Sequence, residues 1–195
     1  MTEILDAKVT HPLRGGPCFS LKHRVQRMIW NLFWGLFASW TPPPLHRYRV
    51  AILRLFGAKV AWSAHVYSSA RIWFPPNLTM GEHSCLGPRV NCYSMASITL
   101  KKYAVTSQGA HLCTGMHDIE DPDFQLSAKP IVLEERAWVA AEAFVGPGVT
   151  IHQGAVLGAR GVLFKDAEAY GVYVGNPAQL VRYRRHPIEI TTTTE

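Results

Sequence analysis

Between residues 139 and 168 the chain repeats itself every six residues. An aliphatic side chain recurs at Val139, Val145, Ile151, Leu157 and Leu163, and four positions after each stands a small or branched one: Ala143, Val149, Ala155, Gly161 and Ala167. The position after the aliphatic is often Ala or Gly, as at Ala140, Gly146 and Gly158. The register extends back through Leu133 and Ala137, and recurs at Leu100 and Ala104, Leu86 and Val90, Met80 and Ser84, Val66 and Ala70, and first at Val60 and Ala64. A period of six is neither the roughly 3.6 of a helix nor the 2 of a half-buried strand. It marks an all-β solenoid, a β-helix in which each hexapeptide lays one short strand on one side of a triangular prism. Three hexapeptides make a coil, and coils stack by pairing strand edges. The aliphatic fills the axis, and the small residue lets the chain turn the corner. The register breaks at Phe74-Pro75-Pro76-Asn77, where the step from Ile72 to Met80 is eight, and again from His117 to Pro130.

Ahead of the repeats lies a segment of different character. Residues 25–40 read VQRMIWNLFWGLFASW and are followed by TPPP. Arg24, Arg27 and Asn31 fall on one stripe of a helix, and the rest of that cylinder is apolar. Pro42, Pro43 and Pro44 stop the helix near Trp40. Its apolar length is well short of the roughly 20 residues that span a bilayer. Trp, Phe and Arg on such a helix suit a membrane interface over residues 24–40, and equally suit packing on the body of the protein. A second helix is expected at 45–56, ended by Gly57. The expected organisation is therefore a basic, helical segment at 1–57, a β-helix at 58–176 with an inserted loop at 117–130, and a C-terminal extension at 177–195.

Charge sharpens the contrast. From Ala7 to Gly81 there is no Asp or Glu, while ten Lys or Arg occur, within a chain of 195 residues and net charge +6. Such a stretch attracts anionic partners such as lipid headgroups or phosphorylated carriers. Nucleic acid is not expected, because no recognised binding module accompanies the basic residues. With 48% apolar and 17% charged residues the chain is not a disordered one. Cys18, Cys85, Cys92 and Cys113 form no CxxC pair, which argues against a disulfide scaffold or a Cys-based zinc site. The start, MTEILDAKVTHPLRGG, is not a secretory signal, so the chain is read as cytoplasmic with reduced thiols.

The second break, LCTGMHDIEDPDFQLSAKP (112–130), is where chemistry is expected, since loops leaving a rigid scaffold often carry function. His117 stands at its root and is suited to general-base work near neutral pH. Asp118, Glu120, Asp121 and Asp123 follow, as carboxylates to orient the imidazole or to bind a substrate hydroxyl.

Taken with CTGMHD (113–118), the repeats around Trp138 and VGNPAQLVR (174–182), the stretch from about Lys59 to Arg185 resembles the hexapeptide-repeat acyltransferases, whose fold is a left-handed parallel β-helix. These motifs resemble the galactoside, maltose and nodulation acetyltransferases. With WNLFWGLFASWTPPPLHRYRVAILRLFGAKV (30–60), RIWFPPNLTMG (71–81), the HDIEDPDF loop and KPIVLEERAWVAAEAFVGPGVTI (129–151), the chain is similar to colanic-acid biosynthesis acetyltransferases over nearly its whole length.

The resemblance implies an acetyl-CoA-dependent O-acetyltransferase acting on a saccharide, as a homotrimer with its sites between subunits and with no metal. His117 matches the family's catalytic base. Trp138, Ala140, Gly158 and Ala159 would line the slot for the pantetheine arm, small residues there admitting a thin chain. Lys165 and Arg182 match basic positions near the nucleotide phosphates, and Arg184 is a further candidate. Asn91, Asp118 and Asp121 are the candidates on the sugar side. Two departures weaken phosphate contacts: Phe164 where relatives often have Thr, and Gln179 where they often have Arg. Two other readings remain. A γ-carbonic-anhydrase-like metalloenzyme on the same fold would draw ligands from His65, His83, His111, His117 and His152. A non-catalytic β-helix scaffold at the membrane surface would use the basic N-terminus.

Overall fold

In the computed structural model, which describes residues 4–184, the hexads stack as their period requires. On the first face Val60 lies opposite Met80, Met80 opposite Leu100, Leu100 opposite Leu133 and Leu133 opposite Ile151. On the second face Val66, Leu86, Thr106, Val139, Leu157 and Tyr173 follow one another. On the third face Ile72, Cys92, Leu112, Val145 and Leu163 do the same. Every pairing among these coils is parallel, so the chain winds in about six turns around an axis filled by these buried side chains. Many turns between faces hold one residue at φ near +55 to +60°, among them those at His83, Arg89, Tyr103, Arg136, Glu142 and Arg160.

The step of eight at Phe74–Asn77 turns out to be no break. Cys92 to Leu100 is also eight, so the first two coils each hold twenty residues and stack without a shift. Both widened turns lie on the third edge, where the third face bends back to the first. Three buried polar side chains tie this edge together. Asn77 Nδ2 donates to the carbonyls of Ser94 (2.9 Å) and Met95 (2.8 Å). Ser94 Oγ donates to Phe74 O (3.1 Å), and Thr114 Oγ donates to Tyr93 O (2.7 Å) while accepting from Ala96 N (3.0 Å). They give partners to Ser94 O, Met95 O and Ala96 N, backbone groups outside the strand ladders. The loop expected at 117–130 leaves from the same edge in the third coil.

Three helices precede the coils: α1 (Ala7–Thr10), α2 (Leu21–Phe37) and α3 (His46–Leu55). Helix α2 ends three residues earlier than the prolines require, because Ala38 and Ser39 both donate to Trp34 O and close the last turn. It lays Trp30 and Trp34 on the first coil, and Trp30 Nε1 donates to Ile72 O at 2.6 Å. Helix α3 buries Val50, Ile52 and Leu53 against the first strands, closing an edge that would otherwise invite strand pairing. At the other end Gly171–Gly175 and Ala178–Tyr183 form an antiparallel pair. The rest of the expected C-terminal extension, 185–195, lies outside the described residues. Among the described residues no helix is long and apolar enough to cross a membrane. The four cysteines are free thiols, and burial pushes that of Cys92 up to about 12.

Candidate active site

The inserted segment is a β-hairpin. Gly115–His117 pairs antiparallel with Leu126–Ala128, placing His117 opposite Leu126 at the point where the strands part. Its ring is half-buried and stacks on Phe124, with centroids 4.2 Å apart and planes within 12°. Its Nδ1 lies 2.8 Å from Phe124 O. A carbonyl oxygen accepts and never donates, so Nδ1 must carry the hydrogen. That fixes the tautomer and leaves the lone pair of the neutral ring on Nε2, the state a general base requires.

The orienting group is thus a backbone carbonyl rather than one of the neighbouring carboxylates. Those acids are engaged in shaping the loop. Asp118 Oδ1 accepts from Glu120 N and Asp121 Oδ1 from Asp123 N, each at 3.0 Å, as Asx turns at the hairpin tip. The loop end of the hairpin is fastened from the N-terminus. Gln125 Oε1 accepts from Ala7 N at 2.6 Å, and Gln125 Nε2 donates to Leu5 O at 3.2 Å.

A second group of the expected residues gathers elsewhere on the prism. Trp138 stands outward on the second face, nearly half-exposed, its Nε1 donating to Ser107 Oγ at 2.9 Å. In register with it across the sheet come Val156, Val172 and Arg182. Three strand spacings make this row roughly 14 Å long. Ala140, Gly158 and Ala159 sit just beyond, where the second edge begins. Gly158 is small for a reason inside the fold: a Cβ there would meet Val174 Cγ1 at 2.9 Å and Tyr173 O at 3.2 Å. Gly146 likewise makes room for Phe164, whose ring also packs 5.6 Å from Phe144. Lys165 is exposed on the third edge, the same edge as His117. Arg184 lies at the far end of the second face, donating to Gly154 O at 3.1 Å. Gln179 is exposed opposite Val174.

Asn91 projects from the third face, and its Nδ2 lies 3.2 Å from Nε2 of His111. Burial holds His111 below the usual imidazole range, so its ring is neutral and accepts that bond. The remaining histidines are scattered: His65 stacks on His46, His83 on Tyr103, and His152 pairs with Glu134 at 3.1 Å. Among the described residues no three His, Cys, Asp or Glu side chains converge as a metal site.

Comparison with known proteins places this architecture. No protein-family model matches the chain. It is 38% identical to a protein of Escherichia coli (strain K12) named as a colanic acid biosynthesis acetyltransferase, WcaF, over 184 residues, covering 94% of this chain and 98% of that one. The chain belongs to the hexapeptide-repeat acetyltransferase family. Its fold is shared with a maltose O-acetyltransferase from Clostridium difficile 630, at TM-score 0.75 and 21% identity, covering 86% of this chain and 90% of that one. A hexapeptide-repeat acetyltransferase from Vibrio cholerae, solved with acetyl coenzyme A, superposes at TM-score 0.74 and 22% identity, covering 84% and 90%. For this acetyltransferase the expected site residues therefore divide between two edges of one prism. His117 and Lys165 stand on the third, while Trp138, Ala140, Gly158, Ala159 and Arg182 stand on or beside the second. Sequence reasoning missed Phe124 and Gln125, which act through backbone and amide groups that no motif announces.

Proposed function

We propose that the chain transfers the acetyl group of acetyl-CoA to a hydroxyl of a saccharide, with His117 as general base, at sites shared between the copies of a homotrimer. The observation that carries this reading is the 2.8 Å contact from His117 Nδ1 to Phe124 O, which leaves Nε2 free to take a proton. Family membership and the acetyl-CoA complex of the Vibrio cholerae relative support the donor. The maltose and colanic acid names of relatives support a sugar acceptor.

The steps follow from the tautomer. Nε2 removes the hydroxyl proton as the oxygen attacks the thioester carbonyl, while Nδ1–H stays on the Phe124 carbonyl and holds the resulting imidazolium in place. When the tetrahedral adduct collapses, the same imidazolium returns the proton to the departing CoA sulfur, leaving an acetyl ester and free thiol. The row from Trp138 to Arg182 and the turn at Ala140 and Ala159 form the slot, with Lys165 of a neighbouring copy at its phosphate end. In this reading Asn91 on the third face and Asp118 and Asp121 on the hairpin contact the acceptor. That base and slot stand on different edges supports a site completed by a second copy. The test is CoA thiol release from acetyl-CoA with a panel of glycosides. His117→Ala should lose at least ~100-fold in kcat; retained turnover removes His117 from the mechanism.

We also infer that the outer face of α2 meets an anionic membrane surface. Leu21, Val25, Met28, Leu32 and Leu36 follow helical spacing and are exposed, Met28 and Leu32 each at 63%. No carboxylate occurs from Ala7 to Gly81 to repel phospholipid. Co-sedimentation with vesicles containing anionic lipid should fall in a Met28→Glu, Leu32→Glu variant, and equal pelleting refutes the contact.

A further inference from the structure

Between α2 and the first two coils lies a cleft of about 850 Å³ whose lining includes Arg27, Asn31, Arg71, Trp73, Arg89 and Asn91. Three separate elements send a guanidinium toward it: α2 (Arg27), the first strand of the third face (Arg71) and a turn on the second edge (Arg89). No carboxylate lines the cleft, and none of the three arginines takes part in an ion pair among the described residues. Glu142, which packs beside Gly109 at the rim, has its carboxylate bound by Arg160 at 2.7 Å. Arg27 lies with its guanidinium 3.9 Å from the ring centre of Trp73, and its Nε is buried without a hydrogen-bond partner.

Three like charges lining one cleft without a carboxylate repel one another, and only Arg27 is offset, by its contact with Trp73. An anion reverses the sign. Guanidinium forks match phosphate oxygens in pairs, with strong charge-assisted bonds. Asn31 and Asn91 offer amides to the hydroxyls of a sugar. The cleft lies along the same edge of the prism as the proposed slot. Successive second-edge turns are joined by Gly109 N to Pro88 O, Glu142 N to Gln108 O and Arg160 N to Ala141 O. Arg89 therefore stands on the same edge as Ala140 and Ala159, two and three coils earlier in the stack.

We infer that this cleft receives the acceptor as a sugar joined to a phosphate or diphosphate group, the phosphate seated on Arg71 and Arg89 and the sugar directed along the edge toward the thioester. The inference rests on the acetyl-transfer reading for its direction, but the binding can be measured without it. The full chain would be titrated by tryptophan fluorescence with inorganic pyrophosphate, a UDP-sugar, a polyprenyl-diphosphate sugar in mild detergent, and a neutral methyl glycoside. Arg71→Ala and Arg89→Ala remove exposed side chains, and unchanged thermal midpoints would verify their folding. The diphosphate compounds should bind at least ~10-fold more tightly than the glycoside, and each substitution should cost about 10-fold. The acceptor KM should rise by a similar factor with the KM for acetyl-CoA unchanged. The tighter of the two diphosphate sugars identifies the carrier as nucleotide or lipid. Equal binding of the neutral glycoside overturns the inference, and so does a loss that falls on acetyl-CoA instead. Intact pyrophosphate binding without any thiol release would sink acetyl transfer and leave the anion site standing. Turnover of neutral glycosides with unaltered KM in both arginine variants would do the reverse.

Discussion

Arg49 offers the sharpest test of how the first coil is closed. It is fully buried, yet none of its partners is an acid. Nε donates to Val66 O at 2.6 Å, Nη1 to Thr41 Oγ1 at 2.8 Å and Pro42 O at 2.9 Å, and Nη2 to Pro43 O at 2.7 Å. One side chain thus ties the proline loop between α2 and α3 to a core strand. Burial lowers its pKa, a sign that dehydrating the cation has a cost. Arg49→Met keeps most of the stem and removes that cost, but it strands two or three acceptors at about 1–3 kcal/mol each. The net loss should be about 3–5 kcal/mol, the stranded acceptors outweighing the relieved dehydration of the cation. At about 2–4 °C per kcal/mol for a chain of this size, the thermal midpoint should fall by roughly 6–20 °C. Arg49→Lys should fare little better, because one ammonium cannot span the fork. Circular dichroism melts of the full chain measure this. A methionine variant melting within about 1 °C of wild type would mean that the loop carbonyls are solvated and that the guanidinium holds nothing together.

Two further outcomes follow from the core. His23 is buried among Phe19, Trp73 and Phe74, with neither ring nitrogen hydrogen-bonded, and burial followed by the nearby Arg27 charge lowers its pKa. The unfolded chain then binds the extra proton first, so this stability is present above about pH 6.5 and is lost as pH falls toward the folded value. Thermal midpoints from pH 8 to 5 should decline more steeply for wild type than for His23→Phe, and parallel declines would show that His23 is not the titrating group. Leu112, fully buried on the coil from which the hairpin leaves, should cost about 3–5 kcal/mol as Ala in urea unfolding, and a loss under about 1 kcal/mol would mean that the axis repacks freely.

The axis of this protein was legible because a β-helix repeats one decision. Each hexad has to place an aliphatic inward, and Val139 to Leu163 do so without exception. The second widened turn was readable too, since the step from Cys92 to Leu100 equals the one from Ile72 to Met80. Two equal insertions at one corner cancel, which a linear scan sees only when the coils are stacked. The helix at 25–40 could be assigned a type but not a partner. Its sequence is apolar nearly all round, and only the packed first coil shows that Trp30 and Trp34 turn inward while Met28 and Leu32 stay out. His117 was nameable from the loop it roots. Its orienter was not, because any residue at 124 supplies a carbonyl, and the hairpin register alone brings it to the imidazole. The arginine cleft was hidden for a similar reason: Arg27, Arg71 and Arg89 are far apart in sequence and read singly as surface charge.

The division of site residues between two edges predicts how defective copies behave when mixed. In a ring of three, each site would take His117 from one copy and Trp138 with Arg182 from the next. A His117→Ala chain retains an intact slot, and a Trp138→Ala, Arg182→Glu chain retains an intact base. Each alone should be inactive. Unfolded together in equal amounts and refolded, about three quarters of the rings contain both kinds, and each such ring has one site of three with both halves native, so about a quarter of wild-type thiol release should return. If base and slot instead met within one copy, every site would carry one lesion and no activity would return. Recovery near a quarter therefore measures the sharing of the site directly, independent of which sugar is acetylated. A mixture that stays inactive while forming trimers on a sizing column with light scattering would overturn the shared site.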